Sequence, residues 1–228
     1  MPEDTALYTY GFCWTPAQTV SLPLGIQDAL KLVTEDDLAA LVEPDHFFDA
    51  VSQDDKRLMR AVLTHDRVLC DWFGQLPVLP LRFGTRFVSE ASLREHLRTN
   101  RDRYRQTLQA LADKAEYQLK LHPQPINIPT PASELKGRDY FLAKKQRLQA
   151  QNQAQQAQIA ELSELTAAIA QAYPKLIHDS PRDGIERLYL LISRDQASTL
   201  QQYCQRWQQH TQYWQIALSD ALPPYHFI

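Results

Sequence analysis

Few side chains in this chain of 228 residues could do chemistry, and they stand far apart. His65 falls on the helical stripe formed by Leu58, Val62, Leu69 and Trp72, within a segment of helical spacing over residues 54–73. A histidine there could be a general base or a metal ligand, or a packed residue with one ring nitrogen hydrogen-bonded inside. No second histidine or cysteine stands at ligand spacing, which favours the packed reading and assigns no metal. Cys13, Cys70 and Cys204 are odd in number and widely separated, which suits a reducing compartment better than a disulfide framework. Arg82 and Arg86 flank Gly84 in the apolar run 75–87; their stems can lie on that run while the guanidinium groups reach a carboxylate or a partner. An enzyme would need such groups to converge, for example His65 with Arg82 and a carboxylate in a cleft between domains. Against this, the chain has no phosphate-cradling glycine loop, no nucleophile elbow, no helical histidine pair, and only 6 glycines. No catalytic residue and no cofactor is assigned.

Arg94, Arg98, Arg101 and Arg105 lie along one side of a helical segment, as a nucleic-acid reader would want. Yet Glu35, Asp36, Asp37, Glu43, Asp45, Asp49, Asp54 and Asp55 make the same part of the chain acidic, so internal pairing or a solvated face is expected. The net charge of -3 and pI near 6.2 give no general pull toward nucleic acid or anionic lipid. A base-stacking module would place several aromatics on central strands with basic residues around them. Here Tyr189 is isolated in the sequence, and the basic stripe belongs to another domain. The acidic start Met1-Pro2-Glu3-Asp4 is unlike a signal peptide, and no apolar run approaches the roughly 20 residues of a membrane span. A cytoplasmic protein is expected.

The elements that must position these groups read as an α+β protein of two domains, 1–113 and 114–228. A strand over 7–14 ties down the N-terminus, and a loop covers 16–23. Two short arms, 29–33 and 38–42, form a hairpin around Thr34-Glu35-Asp36-Asp37. After the helix of His65 comes a buried strand over 78–83; Pro77 and Pro80 place it at an edge or at a bulge, and Gly84 turns the chain. Ser89 caps a helix whose buried stripe is Leu93, Leu97, Tyr104, Leu108 and Leu111. In the second domain a strand over 116–121 leads to a proline-rich connection (123–132) and a long helix, about 133–173. Leu148, Asn152, Gln155, Ile159, Leu162, Thr166, Ile169 and Tyr173 alternate along it by four and three, a coiled-coil-like seam. Strands over 175–178 and 185–192 are joined by 179–184; a helix over 195–209 and a strand over 213–218 follow. From Glu116 this is strand, helix, strand, strand, helix, strand, the ferredoxin-like order. The tail 219–228 is apolar and prolyl, hence docked or adhesive.

Several stretches in order resemble the gas vesicle protein F/L family: Leu7-Tyr8-Thr9-Tyr10-Gly11, His65-Asp66-Arg67-Val68-Leu69, and above all Pro77-Val78-Leu79-Pro80-Leu81-Arg82-Phe83-Gly84-Thr85. Glu116-Tyr117-Gln118-Leu119-Lys120, Gly137-Arg138-Asp139-Tyr140-Phe141 and Leu222-Pro223-Pro224-Tyr225-His226-Phe227 extend the likeness over nearly the whole chain. The tail departs from the family ending, which has glycine, proline and tryptophan before its second proline where this chain has Ser219-Asp220-Ala221-Leu222-Pro223-Pro224. The resemblance implies two α+β domains, the N-terminal one a modified ferredoxin-like unit. It also implies a non-catalytic role in gas vesicle assembly, or as a minor structural component of the vesicle. The major gas vesicle shell protein and other vesicle proteins are the partners it implies, with neither nucleic acid nor membrane among them. Arg82, Arg86, Tyr225 and Phe227 are the candidate partner-binding residues.

Overall fold

A computed structural model describes residues 5–129 and 137–228. The fold is mixed α+β with antiparallel sheets, in two compact units: one runs to Glu116 and takes in Ala221–Ile228, the other is Tyr117–Asp220. The sequence keeps 219–228 with the second domain; in the structure Ala221–Ile228 groups with the first, because Leu222 and Glu116 exchange backbone hydrogen bonds of 2.8 and 3.0 Å.

The first unit is organised around β1 (Leu7–Trp14), with β2 (Lys31–Glu35), β3 (Leu38–Pro44), β4 (Val78–Pro80) and β5 (Arg86–Phe87) in one sheet of order β2-β3-β1-β4, where β5 also pairs with β1. Leu7 through Cys13 are all buried, so β1 is covered on both faces rather than alternating in and out. Its ring contacts show how. Tyr8 and Tyr10 meet His65 on α2 (Asp55–Phe73), whereas Phe12 meets His96 on α3 (Glu90–Thr99) and Tyr104 on α4 (Arg101–Leu111). The register explains the pattern: Thr9 pairs with Val42 and Gly11 with Leu41, leaving Tyr10 as the extra residue of a β-bulge. Tyr10 and Gly11 consequently turn to the same face. A side chain at Gly11 would put its Cβ 2.7 Å from Val78 Cγ2 and 2.8 Å from the Leu79 carbonyl oxygen. Gly11→Ala should therefore cost about 2 kcal/mol by overpacking, read as a lower urea midpoint with an unchanged slope.

As the prolines require, β4 lies at the sheet edge, with Pro80 opposite Gly11. It is shorter than the expected 78–83, because Leu81 onward turns toward Gly84. Asp54 caps α2 by accepting hydrogen bonds from the backbone N–H groups of Lys56 and Arg57. Its buried face is Ala61, His65, Val68, Leu69, Trp72 and Phe73; Leu58 is only half-buried and Val62 is exposed, contrary to the sequence stripe. The helix presents a face turned toward Val68 and Trp72, which a periodicity argument resolves only to within a residue or so. Ser89 caps α3 reciprocally with Ser92, but the single helix expected there breaks at Asn100 (φ -103°, ψ 12°), whose side-chain amide donates to the His96 carbonyl. The hairpin of β2 and β3 turns at Asp36 (φ 53°) and Asp37. Its acids take up the arginine stripe: Arg98 pairs with Glu35 at 2.7 Å, Arg101 with Asp37 at 2.8 Å and Arg105 with Asp37 at 3.3 Å.

The second unit has a sheet of order β7-β8-β6-β9, built from β6 (Lys114–Pro123), β7 (Ile177–Arg182), β8 (Ile185–Ser193) and β9 (Trp214–Leu218), with helices α5 (Gly137–Ala172) and α6 (Ala197–Gln209). β6 begins in the first unit and continues into this one. Residues 179–182, expected in a loop, continue β7, because Asp183 (φ 55°) and Gly184 (φ 74°) make a two-residue turn by themselves. The part of the long helix expected at 133–136 lies outside the described residues, as does the end of the proline-rich connection. Leu165 and Ile169 are the buried residues of α5. The seam positions Leu148 and Ile159 are 58% and 68% exposed, so the first half of the seam is not a face on which this unit packs, whereas Ile169 in its second half is buried.

Candidate functional site

The candidate site grows from α2 and from the turn that follows β4. The Leu81 carbonyl can only accept, so His65 Nε2 donates to it (3.1 Å), and Nδ1 then accepts from the Tyr8 hydroxyl (2.8 Å). The Tyr8 oxygen in turn accepts from the Gly84 N–H at 3.3 Å. The Tyr10 ring stacks on the imidazole with centroids 5.1 Å apart, and Phe83 meets it edge-on. Both ring nitrogens are thus committed to holding the Leu81–Gly84 backbone, which fits the packed reading of His65 and leaves it no free base. Burial pushes its pKa below the ordinary 6.5, the Leu81 carbonyl opposing that in part.

Beside this network lies a residue that sequence reasoning misplaced. Glu43 stands among the surface acids in the sequence reading, but it is completely buried at the end of β3. Its carboxyl oxygens accept from the Tyr10 hydroxyl (2.7 Å) and from the backbone N–H groups of Ile26, Gln27 and Asp28 (3.1, 3.3 and 3.1 Å). It anchors the loop between β1 and β2, a segment with no strand or helix of its own to use its donors. Gly25 makes the approach possible, since a Cβ there would fall 2.2 Å from Glu43 Oε2. The only signal in the sequence was an acid closing the apolar strand Leu38-Ala39-Ala40-Leu41-Val42 ahead of Pro44.

The two arginines of the turn differ. Arg86 is exposed but tethered: it pairs with the buried Asp45 side chain, lies 3.0 Å from Asp49, and sits over the Phe48 ring at 4.9 Å. Arg82 is exposed, and its backbone carbonyl accepts from the Thr85 N–H (3.1 Å) and hydroxyl (2.7 Å) to close the turn. Gly84 adopts φ 87°, the left-handed backbone its place predicts.

The tail reaches the same unit. Pro223 and Pro224 are buried, and the Tyr225 hydroxyl donates to Asp66 Oδ1 on α2 at 2.6 Å. Glu116, buried on β6, accepts from the His226 N–H at 2.8 Å and lies 2.7 Å from His226 Nδ1. Burial raises the Glu116 pKa, and the hydrogen bonds from His226 draw it back down. Phe227 is half-buried and Ile228 is exposed. Tyr225 is thus tied to α2 by Asp66, and His226 to β6 by Glu116, anchors that the sequence did not single out.

With this geometry in view, the family model described as gas vesicle synthesis protein GvpL/GvpF matches residues 6–228. The chain belongs to that family. Two solved structures share its fold: the gas vesicle protein GvpF from Anabaena sp. PCC7120 superposes with a TM-score of 0.70 at 15% identity, covering 98% of each chain. GvpF from Microcystis aeruginosa gives 0.69 at 16% identity, again over 98% of each chain. No curated protein matches the chain in sequence. The GvpL/GvpF match extends through β1, the His65 helix, the Gly84 turn and the tail, so all parts of the candidate site lie within the matched residues.

Membership of the GvpL/GvpF family gives the chain a gas vesicle role. Among the described residues no helix is long and apolar enough to cross a membrane, and no group of three or more His, Cys, Asp or Glu could hold a metal. The depressed pKa of His65 makes a testable pH dependence. The unfolded chain takes up a proton near pH 6.5 that the folded one refuses, so the contribution of His65 is complete above that value and is lost as pH falls through its lower folded pKa. Glu116 acts oppositely, its raised pKa favouring the fold below about 4.5 and less as pH rises. Melting points measured from pH 8 to pH 5 should fall with acid, and His65→Phe, less stable throughout, should show a shallower fall.

Proposed function

We propose that this protein is a non-catalytic assembly protein or minor structural component of the gas vesicle, acting in the cytoplasm and on the vesicle and binding the major shell protein and other vesicle components. The observation that carries the reading is the GvpL/GvpF family match over residues 6–228. The commitment of both His65 ring nitrogens to the fold supports a binding role over a catalytic one. The reading treats both units as ferredoxin-like: each sheet runs from the hairpin to the first strand to a later strand, β4 in one and β9 in the other, and the first unit is modified in having the Glu43-anchored loop where a helix would stand. As domains it takes 1–113 and 114–228, with Ala221–Ile228 returning to the first unit.

Among the partner-binding candidates, Arg82 is exposed and Phe227 half-buried, while Arg86, also exposed, and Tyr225 hold the turn and the tail through Asp45, Asp49 and Asp66. Titration of the intact protein with purified shell protein tests the function. Saturable binding is expected, weakened by Arg82→Glu; no binding at concentrations where another vesicle component binds would refute it.

A further inference from the structure

α5 is fixed to its unit by one face of its C-terminal half. Leu165 and Ile169 are buried there, Gln158 donates to the carbonyls of Gln124 and Tyr213, and Glu161 accepts from the N–H groups of Gln212 and Tyr213. From Gly137 to Gln153 every residue except Ala143 is exposed. Phe141, Leu148 and Ile159 are 71%, 58% and 68% exposed, and they are spaced by seven and eleven residues. At about 100° per residue both intervals return to within roughly 20° of the same direction, so the three form one stripe about 27 Å long. That stripe lies about a quarter turn round the helix from the face carrying Gln158, Leu165 and Ile169. A helix of mixed, largely solvated composition gains little by itself from displaying aligned large apolar side chains.

The charges around the stripe say what kind of surface complements it. Between Gly137 and Ala160 the helix carries Arg138, Lys144, Lys145 and Arg147 against Asp139 alone, four positive charges less one negative, or +3. Lys144 and Lys145 flank the stripe directly. Paired stretch on stretch over 137–160, a second copy would offer no acid but Asp139, so this part of α5 would set like charge on like charge or on glutamine. The middle of the stripe is Asn152 and Gln155, both exposed, which suits a helix with polar groups in register and is unsuited to insertion among lipid chains.

We infer that the exposed stripe Phe141–Leu148–Ile159 of α5 docks an amphipathic helix of another gas vesicle protein, one whose apolar face is flanked by acidic side chains. The inference rests on the proposed assembly role and adds to it the surface and the chemistry of the partner. The partner's apolar residues would cover the stripe, its acids would meet Lys144 and Lys145, and the polar centre would fix the register.

The test titrates the full-length chain against purified shell protein and each other purified vesicle protein in turn, with a photoreactive side chain at position 148 to map contacts. Leu148→Lys combined with Ile159→Lys alters exposed positions only, so its melting point and far-ultraviolet dichroism should match the parent. Its affinity for the partner should fall about tenfold or more. Lys144→Glu with Lys145→Glu should weaken the same complex, and added salt should weaken the parent complex. Crosslinks from 148 should map to an acidic amphipathic helix. Binding that the double lysine variant retains within twofold would overturn the docking surface while leaving the assembly role standing. Failure of the parent chain to bind any vesicle protein would overturn both. Crosslinks to a second copy of this chain, or stripe-dependent binding to vesicles of anionic phospholipid in place of a protein, would also refute the inference.

Discussion

Glu43→Ala should destabilise the protein by about 3 kcal/mol or more, the largest effect expected of any single carboxyl group in it. Truncation would strand the Tyr10 hydroxyl hydrogen and the N–H groups of Gln27 and Asp28 and leave the Ile26 N–H only the Tyr10 oxygen at 3.1 Å, where four donors now share one carboxyl group. The cost exceeds that of a surface ion pair because the vacated site is enclosed by β1, β3 and the loop itself, where an unmet donor loses both its partner and its water. Glu43→Gln keeps one acceptor oxygen and should fall between the parent and the alanine variant. Urea unfolding measures both, and limited proteolysis should find new cleavage within 24–30 in the alanine variant. A loss below about 1 kcal/mol would mean that water enters and replaces the carboxyl group.

Gly84→Val should cost about 3 kcal/mol, from two additive causes. The backbone at φ 87° excludes a β-branched residue, and the new Cβ would lie 3.0 Å from Phe48 Cζ. The damage should spread, because the Gly84 N–H feeds the Tyr8 hydroxyl and through it His65, while Phe48 supports Arg86. The expected result is a lower melting point together with reduced yield of soluble protein, before any specific loss of partner binding. A Gly84→Val protein that folds and melts like the parent but no longer binds shell protein would instead make the turn a contact surface.

Both predictions concern residues whose importance was unequally legible in the sequence. Gly84 announced itself: a glycine closing a proline-punctuated apolar run needs a turn, and the positive φ follows locally. Glu43 did not, because an acid's partners are set by what folds over it. Counting charges grouped it with Glu35, Asp36 and Asp37, which do pair with the arginines of α3 and α4. Only the bulge at Tyr10 and the passage of residues 26–28 over the sheet give Glu43 its different fate. Asp66 and Glu116 were likewise invisible as anchors, since Tyr225 and His226 lie more than a hundred residues away in sequence.

Elements with strong local signals were readable: the β1 strand from its aromatics, α2 from its period, the Ser89 cap, the turn at Gly84, and the family kinship carried by motifs spread along the chain. The sequence by itself therefore determined the α+β class, most element positions and the gas vesicle family, because propensity, period and motif act over short spans of chain. Tertiary structure alone decided which side chains meet. It set the face of α2 that is buried and broke the helix at Asn100. It joined the tail to the first unit and turned the first half of the α5 seam outward to solvent. Each of these depends on contacts between segments distant in sequence, whose energies no local pattern encodes.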